Sequence, residues 1–292
     1  MSWDLPESVS IRDVGPRDGL QPEAPVAVEE RIALARALFD AGVADVEVAA
    51  FVSPKAVPAM AGAAEVLAGV ERRPGTTRWA LVPNVRGAEL AVEAGADALT
   101  VTVSASEEYS QANVRRSVAE SVAAVADIVA VAGDRPVDTV VSCAFGSPYD
   151  EQIGPFDVAA IFDDVLEAGC TNVTLADTTG IATPERIADV VTATGTGVRL
   201  HLHDTRGTAL TNAFAALLLG VRAFDTAVGG LGGSPFAKGA GGNLATEDLV
   251  HLCDGLGVDT GIDLDAMVAV AGRVARLVGR PVPSRVTATL GG

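Results

Sequence analysis

Cysteine is scarce in this sequence and positive charge is outnumbered. Three cysteines, Cys143, Cys170 and Cys253, stand far apart along 292 residues. So odd and sparse a set excludes a disulfide framework and reads as reduced cytosolic thiols. Lysine and arginine total 21 against 38 acidic residues, a formal net charge of −17. That balance opposes binding to nucleic acid or an anionic membrane. It leaves room for a small anionic ligand, because a local arginine or metal cluster overrides the global field. Long apolar runs are missing as well. The most apolar stretches, 122–132 and 213–221, are shorter than a membrane span and carry helical patterning. Residues 1–10 are acidic and lack the basic start and apolar centre of a secretory signal. Low-complexity segments and Ser- or Pro-rich linkers are absent. The expectation is one cytoplasmic catalytic domain over 1–292, with hydrophobic residues at 49% and charged residues at 20%.

What is present is a recurring phrase: a helical run closes on glycine, and a β-branched strand follows a few residues later. Gly42 precedes Val46-Glu47-Val48, and Gly95 precedes Leu99-Thr100-Val101-Thr102-Val103. Gly169 precedes Val173-Thr174-Leu175, and Gly220 precedes Ala223-Phe224. Glycine ends a helix in the left-handed conformation without steric cost. Weaker copies sit near Gly75, Gly133 and Gly197. With an opening strand over 9–14, these make about eight βα units, the number a closed α/β barrel of the TIM (β/α)8 type needs. Between strands, residues 29–41 place Leu34, Leu38 and Ala41 on one face and most charges on the other. Thr183-Pro184-Glu185 opens a helix with a capping hydroxyl, a proline in the first turn and an acid at the positive end of the dipole. From about Glu247 onward the chain reads as extra C-terminal helices packed on the barrel. The competing architecture, a doubly wound open sheet, lacks the Gly-x-Gly-x-x-Gly turn after its first strand.

Polar residues collect where these strands end. Arg17 and Asp18 follow the first, Glu47 lies in the second, Asn84 follows the third and Ser104 the fourth. Asp177 follows the sixth, His201 and His203 end the seventh, and a glycine-rich segment with Asn243 follows the eighth. In a TIM barrel these ends converge on one mouth, where catalysis takes place. Ordinary loop polarity explains one or two such positions but not the whole set. His201-Leu202-His203 is the sharpest local signal. Residues two apart on a strand point the same way, so both imidazoles face the mouth while Leu202 faces the helices. The bland alternative is a pair of satisfied core histidines. Adding Asp18 and Asn243 gives two imidazoles, a carboxylate and an amide oxygen, a mixed nitrogen and oxygen set suited to Mg²⁺ or Mn²⁺. Structural zinc is disfavoured, since no cysteine cluster accompanies the histidines. The segment from Gly229 to Asn243 is too rich in glycine for a helix or strand and reads as a loop that closes over a site. It lacks the Gly-Lys-Ser/Thr ending of a P-loop.

Taken in order, these residues resemble a known family. Val14-Gly15-Pro16-Arg17-Asp18-Gly19-Leu20-Gln21, Phe51-Val52-Ser53-Pro54-Lys55, His201-Leu202-His203-Asp204-Thr205 and Gly242-Asn243-Leu244-Ala245-Thr246-Glu247-Asp248-Leu249 are similar to segments of the 3-hydroxy-3-methylglutaryl-CoA (HMG-CoA) lyases. Arg-Asp-Gly alone is shared with isopropylmalate and homocitrate synthases. Those synthases usually carry Asn-Asp where this chain has Asp204-Thr205. The resemblance implies a metal-dependent lyase acting on an acyl-CoA, working as a homodimer. It implies that Asp18, His201, His203 and Asn243 hold the cation and that Arg17 stabilises the enolate of the departing thioester. Glu47 would support Arg17 and the metal shell, and Asp177 would exchange the proton of the substrate hydroxyl. Asn84, Ser104, Arg206 and Lys238 would contact substrate. One departure stands out: Ser234 occupies the position of the family's catalytic cysteine. A thiol, with a pKa near ~8.5, is a far better proton carrier at neutrality than a hydroxyl. Arg206, Thr208 and Lys238 also differ from the usual residues. These differences point to a shifted substrate or another proton donor. They also keep two alternatives open: a condensing synthase or oxo-acid aldolase on the same scaffold, and a ligand-binding homologue that has lost turnover.

Overall fold

A computed structural model of the chain describes residues 3–149, 152–233 and 242–291. Its centre is a closed parallel barrel in which each strand pairs with the next in sequence and the last returns to the first. The strands are β1 (Ser10–Asp13), β2 (Asp45–Ala50), β3 (Thr77–Leu81), β4 (Ala98–Ser104), β5 (Val137–Ser142), β6 (Asn172–Ala176), β7 (Arg199–His201) and β8 (Ala223–Thr226). Around them run α1 (Val28–Asp40), α2 (Ala63–Gly69), α3 (Val85–Glu93), α4 (Glu107–Val114), α5 (Val118–Ala132), α6 (Pro155–Glu167), α7 (Pro184–Thr194) and α8 (Ala209–Leu219). Then come α9 (Thr246–Leu256), α10 (Leu264–Val278) and α11 (Arg285–Leu290). This is the TIM barrel with C-terminal helices that the glycine-punctuated phrases imply.

The glycines close helices as their spacing requires. Gly42, Gly95, Gly169 and Gly220 all adopt positive φ, between 85° and 97°. Parallel strands covered on the outside by helices should be apolar outward, and Ile11, Val46, Val48, Ala80, Leu99, Val173, Leu200 and Phe224 are buried there. Thr183 caps α7 as expected, its hydroxyl accepting from the Arg186 amide at 3.3 Å. Ser117 and Glu120 form a reciprocal capping box at the start of α5.

Inside the barrel the chain departs from the usual branched aliphatic filling. Arg12 on β1 lies between two carboxylates. Its Nε and Nη2 donate to Asp225 at 2.8 Å each, and its Nη1 reaches Asp138 at 2.6 Å. The guanidinium also sits 4.8 Å from the centre of the Trp79 ring. Burial disfavours its charge, but the two aspartates outweigh that and hold its pKa above the ordinary value. This network forms the floor beneath the mouth.

The C-terminal helices are fastened by buried acids. Asp248 accepts from the Ser284 hydroxyl at 2.7 Å and the Val286 amide at 2.9 Å, which anchors the start of α11. Glu247 accepts from the Thr287 hydroxyl at 2.6 Å. Among the described residues no helix is long and apolar enough to cross a membrane.

Candidate active site

The strand ends deliver their side chains to one cavity of about 440 Å³ at the C-terminal face of the barrel. Arg17, Asp18, Asn84, His201, His203 and Asp225 all line it. Arg17 and Asp18 arrive there through an unusual turn. After β1 the chain makes one π-helical turn, Gly15–Gly19, with the Gly19 and Leu20 amides bonded five residues back at 3.2 and 3.0 Å. Such turns are rare and concentrate at functional sites. This one presents two consecutive charged residues to the mouth. Arg17 donates from Nε to buried Glu47 and from Nη1 to Asp18 at 2.6 Å. Its Nη2 has no protein acceptor among the described residues. Burial works against both charges. The carboxylates still keep Arg17 above its ordinary pKa, while Arg17 and the two histidines keep Asp18 below the usual carboxylate range.

The histidines meet as their spacing requires. The two Nε2 atoms face each other at 3.1 Å, and Leu202 between them is fully buried on the outer side. His201 is fixed from beneath: its Nδ1 lies 3.3 Å from Asp225 Oδ2, on the neighbouring strand and in register with it. Burial opposes a charged His201, but the bond and charge of Asp225 more than compensate and raise its pKa. Among the described residues no carboxylate bonds to His203 in this way. Burial, reinforced by neighbouring His201, pushes it down to about 4. Its imidazole is therefore neutral at physiological pH and offers a lone pair.

Asn243 is brought in by a short segment between the ends of β7 and β8. The Asp204 amide donates to Gly242 O at 2.9 Å, Leu244 donates to Leu202 O at 2.8 Å, and Ala227 donates to Leu244 O at 3.0 Å. These bonds pair Asn243 with His203. The approach requires glycine: a Cβ on Gly242 would lie 1.6 Å from Gly230 O, and one on Gly232 would lie 2.5 Å from Asn243 Nδ2. The amide nitrogen of Asn243 donates to Asp18 at 2.7 Å and to Leu231 O at 2.9 Å. Its Oδ1 is buried and has no hydrogen-bond partner among the described residues.

One ligand atom from each of Asp18, His201 and His203 lies within 4.8 Å of the others. The unpartnered Asn243 oxygen stands beside them. A carboxylate, two imidazoles and an orphaned amide oxygen form a donor set that fits a divalent cation with open positions.

The remaining sequence candidates fall at different depths. Asn84 lines the cavity and also caps α3, accepting from the Gly87 amide at 2.9 Å. Ser104, the last residue of β4, is buried outside the cavity lining, and its hydroxyl accepts from the Ser106 amide at 3.0 Å. Asp177 lies behind the wall formed by Ala176 and Thr178. It accepts from the Ile181 and Ala182 amides at 2.9 and 3.2 Å, and burial raises its carboxyl to about 6. Arg206 donates to the carbonyls of Thr179 and Gly180 at 2.8 and 3.0 Å and so braces the β6–α7 turn. Ser234 and Lys238, with most of the expected closing loop, lie outside the described residues. Sequence reading missed Asp225 and Arg12. Their signal was there: a charged residue within a strand covered on its outer face must find a partner inside the barrel.

The comparisons with known proteins agree with this geometry. A family model described as HMGL-like matches residues 8–274. The chain is 42% identical over 98% of both chains to the 3-hydroxy-3-isohexenylglutaryl-CoA/hydroxy-methylglutaryl-CoA lyase of Pseudomonas aeruginosa. It superposes on the Bacillus subtilis HMG-CoA lyase with a TM-score of 0.96 and 36% identity, each chain covered in full. It also superposes on an Acinetobacter baumannii HMG-CoA lyase, solved with coenzyme A and 3-methylmalate, with a TM-score of 0.92 and 38% identity over 97% of this chain and 95% of the other. Barrel, mouth residues and near full-length similarity together establish that this chain belongs to the HMGL-like family.

Proposed function

We propose that the chain is a carbon–carbon lyase that cleaves HMG-CoA, or a close 3-hydroxy-3-carboxyalkyl thioester, to acetyl-CoA and a keto acid. The observation that carries this reading is the meeting of Asp18, His201 and His203 within 4.8 Å, with Arg17 beside them on one cavity wall. Asp18, His201, His203 and Asn243 are the residues that would hold Mg²⁺ or Mn²⁺. Such a cation acidifies the substrate hydroxyl and neutralises the terminal carboxylate.

In the reaction the C3 hydroxyl gives up its proton, its oxygen becomes a carbonyl, and the C2–C3 electrons pass to the thioester as an enolate. Protonation of C2 then completes acetyl-CoA. Arg17, steadied by Glu47, places its free guanidinium edge where the enolate oxygen gains charge. A preorganised donor in such a site stabilises the transition state by about 3 kcal/mol. Asp177, whose carboxyl burial raises to about 6, stands behind Ala176 and Thr178, so we propose that it exchanges the hydroxyl proton through an intervening water rather than by direct contact. Asn84, Ser104, Arg206 and Lys238 are proposed to shape the substrate site, and Ser234 or water to protonate C2. Such an activity belongs to leucine degradation, and we assign the chain to the cytoplasm as a homodimer.

The test is a cleavage assay on HMG-CoA and on thioesters with longer C3 substituents, after chelation and after readdition of Mg²⁺ or Mn²⁺. Metal-dependent release of acetyl-CoA is expected. Absence of turnover on every thioester, with metal bound, contradicts the reading. Formation of product from acetyl-CoA and a 2-oxo acid would assign a condensing synthase instead. Ser234 motivates one comparison: a Ser234→Cys variant gaining activity over an inert wild type would identify a ligand-binding homologue.

A further inference from the structure

The mouth cavity has two chemically different sides. The barrel closes in chain order, so β3, β4 and β5 face β7, β8 and β1 across it. Its charged lining residues, Arg17, Asp18 and Asp225, and both histidines sit on or just after β1, β7 and β8. On the opposite wall, the lining residues within β3, β4 and β5 are Leu81, Thr102, Val140 and Ser142, none of them charged.

That wall is open only in its upper part. Trp79 and Asp138 stand two residues before Leu81 and Val140, on the same faces of their strands, and both meet the Arg12 guanidinium. This lower layer is packed and buried. Leu81, Thr102 and Val140 form the layer above, with Thr102 and Val140 in register on adjacent strands. All three are half-buried, whereas their outward-facing neighbours Ala80, Val101 and Val141 are buried beneath the helices. A TIM barrel ordinarily fills its interior with bulky branched side chains. Here the upper layer leaves a recess, and Ala176 on β6 adds no bulk to close it.

The proposed substrate has one group left to place. Its C3 carbon carries a hydroxyl, a carboxymethyl arm, the thioester arm and one further substituent. Hydroxyl and carboxylate belong on the side of Arg17, Asp18 and the histidines, and the coenzyme leaves through the open mouth. The fourth substituent then points across the barrel at the uncharged wall. A methyl would leave most of the recess unfilled, and an unfilled apolar space forfeits contact energy.

We propose that the recess formed by Leu81, Thr102 and Val140 receives the C3 substituent, and that the preferred thioester carries an apolar chain of several carbons there in place of methyl. The inference rests on the thioester reading above. Each methylene that moves from water into such a recess adds to transition-state binding, so the preference accumulates along the chain.

The test compares thioesters that differ only at C3, n-butyl against methyl. In the wild type, kcat/KM should be about tenfold higher for the n-butyl compound. Val140→Phe fills the recess and should lower the ratio of the two values by about tenfold, a readout independent of how much of the variant folds. Thr102→Val keeps the shape, removes a hydroxyl and should raise the ratio. It supplies the comparison if Val140→Phe does not accumulate. Calorimetric titration of Mn²⁺-loaded protein with the free 3-hydroxy-3-alkylglutarates needs no turnover. The butyl acid should bind more tightly than the methyl acid, and Val140→Phe should cancel the difference. A wild-type ratio at or below one, or the same ratio in wild type and variants, overturns the inference and leaves the lyase reading intact. Length-dependent binding of the free acids by a chain that cleaves no thioester would uphold the recess and defeat the lyase reading.

Discussion

At the scale of single residues, the site depends on who holds whom. Arg17 spends two of its nitrogens on Glu47 and Asp18, which fixes the third for the substrate. Arg17→Gln keeps the size but removes the charge, so kcat should fall by roughly 10²–10³ while the affinity for Mn²⁺ changes little. Steady-state kinetics together with metal titration separate the two effects. Asp225 plays the opposite part, touching no reacting atom in this scheme but joining the Arg12 floor to His201. Asp225→Asn leaves Arg12 with one carboxylate and puts a neutral amide in place of the charged partner of His201. We expect about 3–5 kcal/mol lower stability in urea unfolding and metal affinity weaker by about 10–100-fold.

At the scale of elements, the mouth is assembled by turns that permit no larger side chain. At Gly232, φ is +100° and an added Cβ would strike the Asn243 amide. Gly232→Ala should therefore abolish tight metal binding while the far-ultraviolet spectrum remains that of a folded barrel. β1 carries a second device. Asp13 bonds to the Gly15 amide at 2.7 Å and the Thr246 hydroxyl at 2.6 Å, and burial raises its carboxyl to about 7. A raised carboxyl pKa means the folded state binds the proton more tightly than the unfolded chain. Its stabilising effect is complete below the unfolded value of about 4 and is lost as pH rises to about 7. Asp13→Asn should flatten the stability profile in that window relative to the wild type, read from urea midpoints at each pH.

At the scale of the whole molecule, the barrel was legible because its signals are local and repeated. Gly42, Gly95, Gly169 and Gly220 each end a helix, and each is followed by a strand. The histidine pair was legible for the same reason, since strand alternation forces His201 and His203 to one side. What escaped was set by register between strands distant in sequence. Nothing local announces that Asp225 sits beside His201, or that Arg12 finds both Asp138 and Asp225. Ser104 and Arg206 stood at the right strand ends, but their side chains turn into the loops they stabilise, a choice made by turn geometry. The account as a whole stands on one cation site built from both ends of the chain, and its most direct test is calorimetric titration of chelated protein with Mn²⁺, wild type beside His201→Ala/His203→Ala. We predict one equivalent bound by the wild type and none by the double variant. No stoichiometric uptake by the wild type, or equal uptake by both, would contradict the account.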